Sequence, residues 1–94
     1  MANAELVENV AARLSRELGP QLREFPIEVQ ADNGRIRVRL KGAANSVTAL
    51  RGMREKLQPV MKKVLRDAKA FPKFQTSDES EGADLIVWVE LPRG

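Results

Sequence analysis

The chain has 94 residues, 43% hydrophobic and 31% charged, with 16 Lys and Arg against 13 Asp and Glu and a net charge of +3. Its pI is near 9.7, and it is sized for one small folded domain, 1–94, with a modest core. Cys, His and Tyr are absent, which excludes disulfides, thiolate chemistry, the commonest general base and metal ligand, and phenol acids. An enzyme would have to work with Asp, Glu, Lys, Ser and Thr alone, and no such constellation stands out. The expectation is a non-enzymatic protein without a cofactor.

Residues 1–6 lack the basic and apolar regions of an export signal, and no apolar run approaches the roughly 18 residues of a membrane span. A cytoplasmic protein without a membrane partner is therefore expected. In chain order, Leu6, Val7, Val10, Ala11, Leu14 and Leu18 recur at three- and four-residue spacing and predict a helix over 4–18. Asn3 is its N-cap candidate and Gly19-Pro20 its stop. Glu5 and Glu8 early, with Arg13 and Arg16 late, suit the helix dipole.

After a connector over 21–25, Ile27-Glu28-Val29-Gln30-Ala31 alternates apolar and polar, and Asp32-Asn33-Gly34 turns. Then Gly34-Arg35-Ile36-Arg37-Val38-Arg39-Leu40-Lys41-Gly42 alternates basic and apolar between two glycines. Asn-Gly between alternating segments predicts a hairpin. A two-residue turn sets Ala31 opposite Ile36, Val29 opposite Val38 and Ile27 opposite Leu40 on one face. The other face pairs Asp32 with Arg35, Gln30 with Arg37 and Glu28 with Arg39. Every pair is apolar with apolar or polar with basic, as a correct register requires.

A loop over 42–45 leads to a second helix predicted over 46–70, with Val47, Leu50, Met53, Leu57, Val60, Met61, Val64, Leu65 and Ala68 as its stripe. Pro59 lies inside it, where proline loses a hydrogen bond and crowds the carbonyl of Glu55. The helix is expected to be kinked or broken there, although the apolar phase continues across it. Residues 71–76 read as a short edge strand because of Pro72, 77–82 as a mobile acidic loop, and 84–91 as the last strand. The order αββαββ predicts an α+β two-layer sandwich, a four-stranded, largely antiparallel sheet with two helices on one face.

Two groups of residues are candidate binding sites. Arg35, Arg37, Arg39 and Lys41 share one strand face, since alternate side chains point the same way. The hairpin register offers Asp32 to Arg35 and Glu28 to Arg39, leaving Arg37 and Lys41 without an acidic partner. In the last strand Leu85, Val87, Val89 and Leu91 face the core. Asp84, Ile86, Trp88 and Glu90 then share a face with the arginines. Trp88 there suits base stacking, an Arg–ring contact or a protein interface; packing under the 21–25 connector is the structural alternative.

The second group lies on the second helix. From 44 to 73, eight basic residues (Arg51, Arg54, Lys56, Lys62, Lys63, Arg66, Lys69, Lys73) face two acidic ones (Glu55, Asp67), a local +6 that leaves −3 for the rest. Lys62, Lys63, Arg66 and Lys69 form its patch, suited to phosphates or an acidic protein. The run Asp78, Glu79, Glu81 and Asp84 does not follow calcium-loop spacing.

In outline the αββα core with a broken second helix resembles type II KH-like domains, which bind RNA. The Gly-x-x-Gly loop of that family is missing at the break, which reads Leu57-Gln58-Pro59-Val60. The hairpin over 27–42 resembles that of BON domains, mostly envelope proteins. Neither likeness carries residues over, and no family follows. The functional expectation is a small binding module with a basic sheet face contacting nucleic acid or another polyanion. The alternative is a protein-interaction module (homodimer, adaptor or inhibitor) using the same face.

Overall fold

The computed structural model describes residues 4–18, 25–70 and 73–91. Helices α1 (Ala4–Leu18) and α2 (Val47–Asp67) and strands β1 (Ile27–Asp32), β2 (Arg35–Leu40), β3 (Gln75–Glu81) and β4 (Asp84–Glu90) follow in the order α1-β1-β2-α2-β3-β4. The strands form one antiparallel sheet in the order β1-β2-β4-β3. Both helices cover one face, giving the expected α+β two-layer sandwich. Among the described residues no helix is long and apolar enough to cross a membrane.

Helix α1 has the bounds its apolar spacing predicts and buries Val7, Val10, Ala11, Leu14 and Leu18. Its N-cap candidate Asn3 and its stop Gly19-Pro20 lie outside the described residues, as do 21–24 of the connector and Phe71-Pro72. The hairpin register matches the sequence reading at all six pairs, from Ile27 opposite Leu40 to Asp32 opposite Arg35. The turn explains it. Asn33 and Gly34 take φ of 52° and 80°, and a two-residue turn of this kind needs positive φ at both central positions.

Helix α2 starts at Ser46, whose hydroxyl accepts a 3.0 Å hydrogen bond from the Ala49 N–H. It runs unbroken from Val47 to Asp67 with Pro59 inside, so of the two expectations at Pro59, a single helix or a break, the single helix is the one that forms. Pro59 is exposed, and proline in a helix interior costs about 3 kcal/mol. Leu57, Val60, Met61, Val64 and Leu65 are buried on the same helix, each worth about 1.5–3 kcal/mol. The buried stripe outweighs the proline.

Strand β3 departs from the sequence reading. The strand lies over 75–81; 73–74 are not part of it, and it takes in most of the segment read as an acidic loop. All seven of its residues are exposed, so no apolar alternation marks it. It forms by pairing with β4 from Gln75 opposite Glu90 to Glu81 opposite Asp84. The two-residue turn has Gly82 at φ 61° in the first central position, where a type II′ hairpin turn takes glycine.

Ile36, Val38, Leu40, Leu85, Val87 and Val89 point from the two central strands into one cluster with both helices. Ile86 is fully buried on the opposite face and lies outside that cluster. Two substitutions test this frame by chemical denaturation. Leu14→Ala should remove about 2–5 kcal/mol, the transfer and cavity loss of a fully buried leucine. At Gly34 nothing lies within 4 Å of an added Cβ, so Gly34→Ala should lose only the left-handed backbone term, about 1–2 kcal/mol.

Candidate functional site

The outer face of the sheet is built in rows that follow from register. Asp32, Arg35, Glu90 and Gln75 form the first, and Gln30, Arg37, Trp88 and Ser77 the second. Glu28, Arg39, Ile86 and Glu79 form the third. Lys41, Asp84 and Glu81 lie beyond them. Arg35, Arg37, Arg39, Lys41 and Trp88 are thus brought together, as the strand alternation predicts. Four cations meet six carboxylates (Glu28, Asp32, Glu79, Glu81, Asp84, Glu90), so the face carries −2 and is not a basic surface.

The cations are also engaged within the chain. Arg39 reaches Asp84 at 2.6 Å and Glu81 at 2.7 Å, Arg35 reaches Glu90 at 3.9 Å, and Lys41 reaches Glu28 at 3.8 Å. Arg37 donates to the side-chain oxygen of Gln30. These partners differ from the pairs Asp32–Arg35 and Glu28–Arg39 expected from the hairpin alone. β2 is an interior strand, so β4 and β3 supply closer carboxylates from its other side. Trp88 is half-buried. The Arg35 guanidinium lies over its ring, 4.0 Å from the centroid, and its indole N–H donates to Glu79 at 3.1 Å.

Asp84 ties this face together. Its carboxylate accepts the Gly42 backbone N–H at 2.9 Å and the Arg39 guanidinium. Those bonds, the Gly42 one foremost, hold its carboxyl below the usual Asp range. Hydrogen bonds to Glu81 and Asp84 push the Arg39 guanidinium up in turn. A carboxyl with a depressed folded pKa stabilises the fold above its unfolded value, and that contribution is lost as pH falls through the folded value. Asp84→Asn should therefore lower the thermal midpoint at neutral pH, and the two proteins should converge in strong acid. An equal deficit at both pH values would contradict this role.

The second candidate group lies on the helix layer, away from the outer sheet face. Lys62, Lys63, Arg66 and Lys69 are all exposed and line a shallow groove with Pro59 and Ala70. Lys63 pairs with Glu17 of α1 at 3.0 Å, and Arg54, further up the helix, with Asp78 of β3. Arg13 of α1 reaches Asp67 at 2.9 Å. Lys62, Arg66 and Lys69 carry no ion pair among the described residues.

The end of α2 places Lys69 in an uncommon way. The Lys69 N–H donates to the Arg66 carbonyl at 3.0 Å and the Ala70 N–H to the Leu65 carbonyl at 2.9 Å. This pair of bonds closes a helix whose next residue is left-handed, a position usually taken by glycine. Here it is Lys69, at φ 56°.

Sequence reasoning missed the roles of Asp84, Glu81, Glu79 and Glu90 as in-chain partners. The signal was Gly82-Ala83 between Glu81 and Asp84, a two-residue hairpin turn whose polar first strand hid it. The chain matches no known family model, and no curated protein matches its sequence.

Proposed function

We propose that the chain is a small non-enzymatic binding module that contacts nucleic acid through the exposed cations of α2. One observation carries this reading. The outer-sheet cations are engaged by residues of the sheet itself, whereas Lys62, Arg66 and Lys69 stand exposed together with no carboxylate partner among the described residues. Charge free of internal partners is the charge available to neutralise phosphates and release counterions. The sheet face, at −2, would repel the same ligand.

The open sheet face is a weaker candidate for a protein interface. Val47, 70% exposed on α2, is the one exposed large hydrophobic among the described residues. Stable interfaces place apolar and aromatic anchors at their centre, and Trp88 is already held by Arg35 and Glu79.

Fluorescence anisotropy with labelled oligonucleotides at low salt checks the assignment. The double variant Lys62→Glu/Arg66→Glu should weaken binding by roughly tenfold or more, while Arg37→Glu should change it by less than about twofold. The reverse pattern would return the site to the sheet. A dimer in light scattering that Trp88→Glu converts to monomer would favour the protein-interaction reading.

A further inference from the structure

Apart from the nucleic-acid contact proposed for α2, we infer that the free edge of β3 docks an extended segment of a partner protein, one alternating basic and apolar residues, as an added antiparallel strand. β3 ends the four-stranded sheet, no strand among the described residues pairs with its outer edge, and all seven of its residues are exposed. Extended segments add to such edges through main-chain hydrogen bonds, and their alternate side chains set specificity.

Register decides which backbone groups of β3 are free. Gly82-Ala83 is a two-residue turn, so Glu81 and Asp84 close the hairpin and exchange both of their main-chain bonds. Alternation then commits Gln75, Ser77, Glu79 and Glu81 to β4 and turns the N–H and C=O of Thr76, Asp78 and Ser80 outward. The first hairpin obeys the same parity. Counted back from its turn, Pro26 and Lys41 fall in a bonded position, and the Lys41 N–H donates to the Pro26 carbonyl at 3.0 Å. An added strand thus meets three residues of β3, each with a donor and an acceptor to offer.

The side chains choose the occupant. On the outer face Glu81 pairs with Arg39, whereas Glu79 accepts the Trp88 N–H and meets no cation among the described residues. A lysine or arginine beside Glu79 on the added strand supplies one, and an acidic residue there is repelled. On the helix side, Arg54 of α2 reaches Asp78, and the Ser80 hydroxyl donates to the Ala44 carbonyl just before the helix. Val47 precedes Arg54 by about two turns on the same stripe, so it stands on the β3 side of α2, near the Ser80 end. It is 70% exposed, the one exposed large hydrophobic among the described residues, and an apolar residue opposite Ser80 would cover it. At β1, the other edge of the sheet, Ile27 and Val29 already pack against the core. Basic on one face and apolar on the other is also the pattern of β2, which this sheet holds between β1 and β4.

The test uses the full chain and a labelled peptide of the same length as β3, seven residues, alternating lysine and valine with lysine at both ends. Binding is followed by anisotropy at low salt and by amide hydrogen exchange. The peptide should bind and should slow exchange at Thr76, Asp78 and Ser80, but not at Ser77 or Glu79, whose N–H groups are already bonded to β4. N-methylation of the valines, whose N–H groups face β3, should weaken binding by about tenfold or more. N-methylation of the inner lysines, whose N–H groups face away, should change it by less than about threefold. Glu79→Lys should weaken it roughly fivefold, and Val47→Ser roughly threefold.

Equal effects of the two methylation patterns would overturn main-chain docking, as would protection on β1 instead of β3 or no binding at all. A peptide with glutamate in place of lysine that binds as tightly would overturn the choice of a basic partner. Protection of Thr76, Asp78 and Ser80 that rises with the concentration of the chain alone would assign the edge to a second copy and overturn docking of a different protein.

Discussion

An interior strand with a basic face is the constraint around which this molecule is arranged. β2 sends Ile36, Val38 and Leu40 into the core and Arg35, Arg37, Arg39 and Lys41 to the other side. Neighbouring strands lie about 4.8 Å away on both sides, so like charges there would repel. The sequence answers with carboxylates or amides on both flanks: Glu28, Gln30 and Asp32 on β1, and Asp84 and Glu90 on β4. Asp84 extends the arrangement beyond the sheet by accepting the Gly42 N–H, which fixes the exit of the chain toward α2. The loop preceding α2 is therefore tied to the same charge pairing that lets β2 sit inside the sheet.

Parts of the fold were legible in the sequence where two local signals agreed. The β1–β2 register follows from Asn33-Gly34 together with apolar and polar alternation, and α1 from six apolar positions at helical spacing. α2 was legible in its stripe, while Pro59 left its continuity open, because a proline reads as a local kink or break while burial on the far side acts over the whole helix. β3 was not legible, since its side chains carry no alternation and its strand state comes from pairing with β4. Tertiary context overrides weak β propensity in this way.

The candidate site divides along the same line. Residues that share a face could be read from period alone, so Arg35, Arg37, Arg39, Lys41 and Trp88 were rightly grouped. Whether their charge is available depends on strand order, which sequence alternation does not encode. With β2 between β1 and β4, a row of cations becomes part of a lattice in which Trp88 is clamped between Arg35 and Glu79. The helix cations differ because a solvent-facing helix surface has no neighbouring element on its outer side. Segregated charge in the sequence, +6 over 44–73 against −3 elsewhere, thus corresponds to two surfaces of different character.

The strand that escaped sequence reading has a consequence of its own. β3 ends the sheet, its outer edge pairs with no strand among the described residues, and every residue in it is exposed. Such an edge can recruit another chain by main-chain hydrogen bonding, and proteins commonly block this with charged side chains. Asp78, Glu79 and Glu81 set like charges along the edge, so a second copy approaching in the same way meets repulsion. Salt screens that repulsion over a Debye length of about 8–10 Å at physiological strength and less above it, but leaves main-chain pairing largely intact. Ionic strength therefore lowers the barrier to edge-to-edge association at β3, the opposite of the loosening it would cause at the polyanion contact proposed for α2.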